Sequence, residues 1–215
     1  MTSYGPDLYS EPESDPNTLA NLGPLTPMAG IWEGAPGTNV HPVLGGPNPD
    51  ERDYIERYEL HPIDPQTNGP QLLYGLRYHV HIRKPGEVGT FHDQVGYWLW
   101  EPARNAIVHT IAIPRGQVAL AGGHAEPDAT EFELTATLGD PIFGIASNPF
   151  LDEAFRTTAF HIKVTINDDG TWTYSEDTTL MVADRTEPFA HTDVNTLTKV
   201  GEPILNPMAR AAAGQ

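Results

Sequence analysis

Histidine carries most of the reactive potential of this chain, whose 215 residues include nine histidines and no cysteine. Without cysteine there is no disulfide, thiolate nucleophile or Cys-ligated zinc. His191 lies in "FAHTDVNTLTKV" (189–200), beside the apolar anchors Leu197 and Val200. A neutral imidazole is a good metal ligand at neutral pH, so His191 raises the question of a ligand for something held inside the fold. The plainer alternative is a polar residue at a strand entry, capped by Thr192 or Asp193. His79 and His81 form "HVH". On a strand both rings then share one face, as a metal pair requires; the plainer alternative is a solvated face shared with Arg77 and Arg83. Arg115 in "IPRG" (113–116) and Arg156 in "SNPFLDEAFRT" are guanidinium forks able to take a carboxylate bidentately. Ser147, in "GIASNP", lacks the setting of a nucleophile elbow. Glu176 and Asp177 are adjacent, so a strand would send them to opposite faces and they make no carboxylate dyad. There is no phosphate-binding glycine loop.

These residues need strands to position them, and the sequence supplies strands. "LLYGLRYHVHI" (72–82) alternates, with Leu72, Tyr74, Leu76, Tyr78, Val80 and Ile82 on one face and Arg77, His79 and His81 on the other. "DYIERYEL" (53–60) places Tyr54, Tyr58 and Leu60 together. "HDQVGYWLWE" (92–101), "AIVHTIAI" (106–113), "QVALAGG" (117–123), "EFELTATL" (131–138), "AFHIKVTI" (159–166), "TWTYSEDTTLMV" (171–182), the opening "MAGIWEG" and the final stretch complete the set. "KPGE" (84–87), "EPARN" (101–105) and "NDDG" (167–170) are turns, the last a hairpin. "NPFLDEAFRT" (148–157) is the helical candidate of the body, a short lid with Asn before Pro at its start. About ten strands joined by tight connections predict an all-β chain: one antiparallel up-and-down sheet closed into a barrel. A two-sheet sandwich is the alternative. Residues 1–24 read as a flexible arm, 25–200 as the ligand-binding barrel, and 201–215 as a tail with a short helix at "MARAAA".

Composition narrows the partners. The net charge of −17 repels nucleic acid and anionic membrane surfaces. No stretch approaches the roughly 20 apolar residues of a membrane span. The opening "MTSYGPDLYSEPESDP" has neither the basic start nor the apolar run of a signal peptide, so a reducing cytoplasm is the expected location. Self-association as a homodimer is compatible with the sequence.

The opening "GIWEG" resembles the Gly-x-Trp signature of lipocalins and fatty-acid-binding proteins, where the Trp plugs one barrel end under a basic residue of the last strand. Here the pair would be Trp32 and Lys199. A closer resemblance is to the nitrobindin-like, haem-binding β-barrel family. Its pieces run in order through "GIWEG", "YIERYEL", "LLYGLRYHVHI", "FHDQVGYWLWEP", "VHTIAIPRGQVALAGG", "AFRTTAFHIKV" and the closing histidine strand, over residues 28–200. Two stretches depart from the pattern: "GAPGTNV" replaces a Gly-x-Gly-x-Gly, and the connection through "HPVLGGPNPDERD" is longer.

The resemblance implies haem b inside the barrel, with His191 as the iron ligand and His92 near the opposite face. It also implies nitric oxide binding and peroxynitrite isomerisation, which would make the protein a haem-dependent enzyme. Arg115 and Arg156 would meet the propionates. In the family the ligand precedes a leucine by five residues, whereas His191 precedes Leu197 by six. Either a bulge between them restores the register and turns the imidazole inward, or His191 does not point into the barrel as the family ligand does. Two rivals stand beside this reading. One is a metal-free carrier of a fatty acid or similar lipophile, held by Arg115 or Arg156. The other is a metal-dependent barrel enzyme built on His79 and His81, with Glu87 in reach.

Overall fold

The structure, a computed structural model, describes residues 4–42 and 49–214. Two short 3-10 segments, Thr18–Asn21 and Gly23–Met28, precede β1 (Gly30–His41). Then come β2 (Asp50–Pro62), β3 (Gln66–Asn68), β4 (Gln71–Arg83), β5 (Thr90–Glu101), β6 (Ala106–Ile113), β7 (Gln117–His124) and β8 (Glu131–Thr137). β9 (Ile145–Ser147) and helix α1 (Pro149–Ala154) lead into β10 (Phe155–Ile166), β11 (Trp172–Val182) and β12 (Phe189–Gly201), and α2 (Pro207–Ala212) ends the chain. Neighbours pair in the order β2-β1-β12-β11-β10-β8-β7-β6-β5-β4, and β2 pairs β4 to close the ring. The expected closed antiparallel barrel is thus the observed one. β3 folds back on β4, and β9 pairs β7 where β7 and β8 diverge, touching in register only at Gly122 and Thr135.

The expected turns form for identifiable reasons. At "NDDG", Gly170 takes φ +81° and the Asn167 N–H donates to the Thr171 carbonyl at 2.9 Å. In α1 the Asn148 side chain accepts from the Leu151 N–H at 2.9 Å. The helix stops earlier than expected because Phe155 already pairs with Val182 as the first residue of β10.

One end of the barrel is plugged. Leu22, Leu25 and Met28 are fully buried among Trp32, Trp98, Trp100 and Trp172. Trp32 lies edge-on to Trp172 with ring centroids 6.2 Å apart. Its Nε1–H donates to the Met28 carbonyl at 2.8 Å, and Lys199 Nζ sits 5.9 Å from its ring centroid. The stretch expected as a flexible arm enters the fold before residue 24: Thr18 is fully buried and its hydroxyl donates to the Ile63 carbonyl. The tail docks too, with Asn206 fully buried and its amide donating to Pro16 and Asp64. The plug needs the first segment and the tail because a barrel of this width is not closed by its own strands alone. Of the long connection in "HPVLGGPNPDERD", residues 43–48 lie outside the described residues, and 50–53 already belong to β2.

Candidate functional site

At the other end the barrel encloses a cavity of about 750 Å³. Side-chain alternation decides what reaches it. On β12 the inward set is Phe189, His191, Asp193, Asn195 and Leu197. The pairing of β11 with β12 runs unbroken from Trp172–Leu197 to Leu180–Phe189. No bulge separates His191 from Leu197, contrary to expectation, and none is needed. Six residues is an even separation, so the two side chains share a face. The extra residue is instead on β1, between Gly34 and Gly37, where the register slips against both β2 and β12. A Cβ at Gly37 would overlap the Tyr54 ring, so glycine lets the bulged strand approach.

His191 Nε2 lies 2.8 Å from Asn39 Nδ2 and 3.4 Å from Asp193 Oδ2. The same Asn39 nitrogen is 2.6 Å from Asp193 Oδ1, a carboxylate oxygen that only accepts. That orients the amide, so Nδ2 donates to both partners and His191 Nε2 is the accepting nitrogen. That bond occupies the lone pair on Nε2, so an ion bound there would have to displace the Asn39 amide.

His92, on β5, lines the same cavity, and burial lowers its pKa. It is hydrogen-bonded to Gln94 Oε1 at 3.2 Å, and Gln94 donates to the Tyr78 hydroxyl at 2.8 Å. Arg115 stands at the rim, donating to the Phe91 carbonyl at 2.9 Å, and Arg52 and Lys84 share that rim. Arg156 does not reach the cavity. It points outward from β10, because inward Phe155 and Thr157 flank it, and pairs with Asp152 at 2.9 Å. α1 covers part of the mouth through Phe150 and Leu151. His79 and His81 are also outside the cavity, on the outer face of β4.

Sequence reasoning missed the buried acids. Glu56 is 1% exposed and its Oε2 accepts from the Tyr174 hydroxyl at 2.8 Å and from Asn195 Nδ2 at 2.9 Å. Burial pushes its carboxyl up to about 7 despite those two bonds. Burial, followed by the charges of Asp193 and Glu56, also drives the carboxyl of its neighbour Glu176 well above the usual range. The signal for Glu56 was its place between Tyr54 and Tyr58, on the inward face of an alternating strand. His109 was likewise flanked by inward Ile107 and Ile111. It is buried, stacks on Trp98 at 3.7 Å and donates through Nδ1 to the Tyr97 carbonyl, and burial takes its pKa down to about 3.

The residues present fit a planar, apolar cofactor with acidic side chains. The volume is that of a small-molecule site. Trp98, Trp172, Tyr58, Val80, Ile82 and Ile162 offer apolar wall, and the imidazoles of His41, His92, His109 and His191 line the same space.

A family described as "THAP4-like, heme-binding beta-barrel domain" matches residues 21–199. No curated protein matches the chain. Among solved structures, that described as "Crystal Structure of Rv2717c from M. tuberculosis" superposes with a TM-score of 0.58. The match covers 87% of this chain and 99% of that one at 20% identity, so it speaks for the fold.

Proposed function

The chain belongs to the THAP4-like, heme-binding β-barrel family, and on that premise we propose that its cavity binds haem b with His191 as the iron ligand. The observation that carries this is the inward placement of His191 on the cavity wall, from which a turn of the ring away from Asn39 would free Nε2. His92 lies on the wall reached from β12 across β1, β2 and β4, and faces the other side of the cofactor. Arg115 meets a propionate; Arg156, paired outside with Asp152, takes no part. The buried walls exclude water and α1 limits entry. Haem, when bound, would supply the iron for nitric oxide binding and peroxynitrite isomerisation. His191 would hold it, with His92 and the rim cation Arg115 as the other residues facing it.

Reconstitution with hemin tests this. The expected outcome is one hemin per chain and a red-shifted Soret band that His191→Ala abolishes or shifts. An unchanged Soret band in that variant sinks the assignment. A lipid extracted with the purified protein and identified by mass spectrometry would instead favour a metal-free carrier held by Arg115.

A further inference from the structure

We propose that His79, His81 and Asp93 form a second site, on the outer wall of the barrel, for a borderline divalent cation with Zn²⁺ preferred. It is separate from the cavity and does not depend on what the cavity binds. Among the described residues, this is the one group of three or more whose ligand atoms converge for a metal, all within 4.8 Å of one another.

The placement follows from the sheet. His79 and His81 are two residues apart on β4, so both project from its outer face. Asp93 on β5 is the direct cross-strand partner of His81 and lies diagonally from His79. β4 is paired on both sides, by β2 and β5, which fixes the three Cβ positions on rigid backbone. His79 Nε2 is already 3.1 Å from Asp93 Oδ2, and the two imidazoles meet edge to face at 4.9 Å. Donor atoms around tetrahedral Zn²⁺ lie roughly 3.3–3.5 Å apart, given Zn–N and Zn–O bonds of about 2.0–2.2 Å. Small ring rotations therefore close the set.

Two cations, Arg77 and Arg83, flank the histidine pair on the outer face of β4, and Glu59 on β2 and Asp93 on β5 offset them. Arg57 lies opposite His81 on β2, but its guanidinium is taken by Glu59 at 2.8 Å and Glu33 at 3.0 Å. Glu59 itself stands opposite His79. The side chains of His79 and Asp93 are 42% and 43% exposed, so an ion reaches them directly. Two imidazoles and one carboxylate leave a coordination position open, the donor pattern of zinc sites that keep a water. That position borders a surface groove of about 700 Å³ whose wall includes His79, Val95, Tyr97 and Val118.

The test is calorimetric titration of ZnCl₂ into tag-free, chelator-stripped full-length protein, with Co²⁺ absorption as the spectroscopic probe. One ion per chain is expected, with the visible bands of Co²⁺ in a four- or five-coordinate N/O site. His79→Ala, His81→Ala and Asp93→Asn should each weaken binding by about tenfold or more. His161→Ala, which removes a comparable surface pair with Glu133, should leave it unchanged. These side chains are partly exposed, so folding is checked by the far-UV spectrum and thermal melt. Absence of stoichiometric binding, or equal binding by wild type and the His79→Ala/His81→Ala double variant, overturns the site. Because hemin plays no part, a failed haem assignment leaves this result intact.

Discussion

At the scale of single residues, the cavity is unusual for how much carboxylate it holds out of water. Tyr54, Tyr174 and Asn195 link Glu56 into one buried network, with Tyr54 and Tyr174 hydroxyls 2.7 Å apart. A buried carboxyl is cheaper neutral than charged. Below pH 4.5 Glu56 is protonated in the folded and the unfolded chain alike. Between pH 4.5 and 7 only the unfolded chain has released the proton. Stability therefore falls as pH rises through that window, by about 3 kcal/mol for the shift from 4.5 to about 7. Glu56→Gln keeps an acceptor for Tyr174 and Asn195 but cannot ionise. Urea unfolding at pH 5 and pH 8 should show wild type losing about 2.5 kcal/mol more than the variant. Equal losses would mean that Glu56 is already ionised in the fold. His109 carries the opposite sign. Its depressed pKa keeps the ring neutral when folded, so its contribution is present above pH 6.5 and is lost as pH falls toward about 3.

At the scale of elements, β5 ties a sequence feature to its cause. Gly96 interrupts an otherwise aromatic run and faces inward with Gln94 and Trp98. A Cβ there would overlap the backbone carbonyl oxygen of Thr110 on β6, which cannot swing away because it belongs to the ladder. The Thr110 hydroxyl also accepts from the Tyr97 N–H at 2.8 Å. Gly96→Ala should cost roughly 2–3 kcal/mol through forced separation of β5 and β6, read as a lowered melting temperature. A variant as stable as wild type would show that β6 can yield. β12 shows how a sound motif can be misread. The one-residue mismatch between His191 and Leu197 suggested a bulge, but an even spacing needs none. The bulge fell on β1, where Gly34 and Gly37 flank Pro36 and a proline cannot donate to the ladder.

At the scale of the whole molecule, the ring of strands divides its interior into a tryptophan-packed plug and a cavity whose wall mixes apolar side chains with acids and imidazoles. Four tryptophans crowd the plug, and two of them, Trp98 and Trp172, also border the cavity. A cofactor bound there lies within reach of both indoles. Titrating hemin should quench tryptophan fluorescence and saturate at one equivalent. At a free hemin concentration 100 times Kd, the folded state gains about 2.7 kcal/mol, visible as a higher melting temperature. Quenching without a thermal shift would place the hemin on the surface. Among the described residues no helix is long and apolar enough to cross a membrane.

Much of this was legible in the chain. Period-two alternation in "LLYGLRYHVHI" and its neighbours dictated antiparallel strands, and their number and tight turns pointed to a closed barrel over a two-sheet sandwich. The "NDDG" hairpin and the common face of His79 and His81 were likewise local matters of spacing, whereas the Trp32–Lys199 pair was implied by the family resemblance alone. What only the tertiary structure decided concerns groups brought together from distant strands. Asn39 sets the tautomer of His191 from β1. Asn195 and Tyr174 receive Glu56, and Asp93 joins the two histidines from β5. Arg156 was separated from the cavity by its place between two inward neighbours. Sequence spacing fixes which side of a strand a residue takes, because the pleat has period two. Which residues meet across the barrel depends on the order and register in which the strands close, and that is settled by packing and pairing along the whole ring.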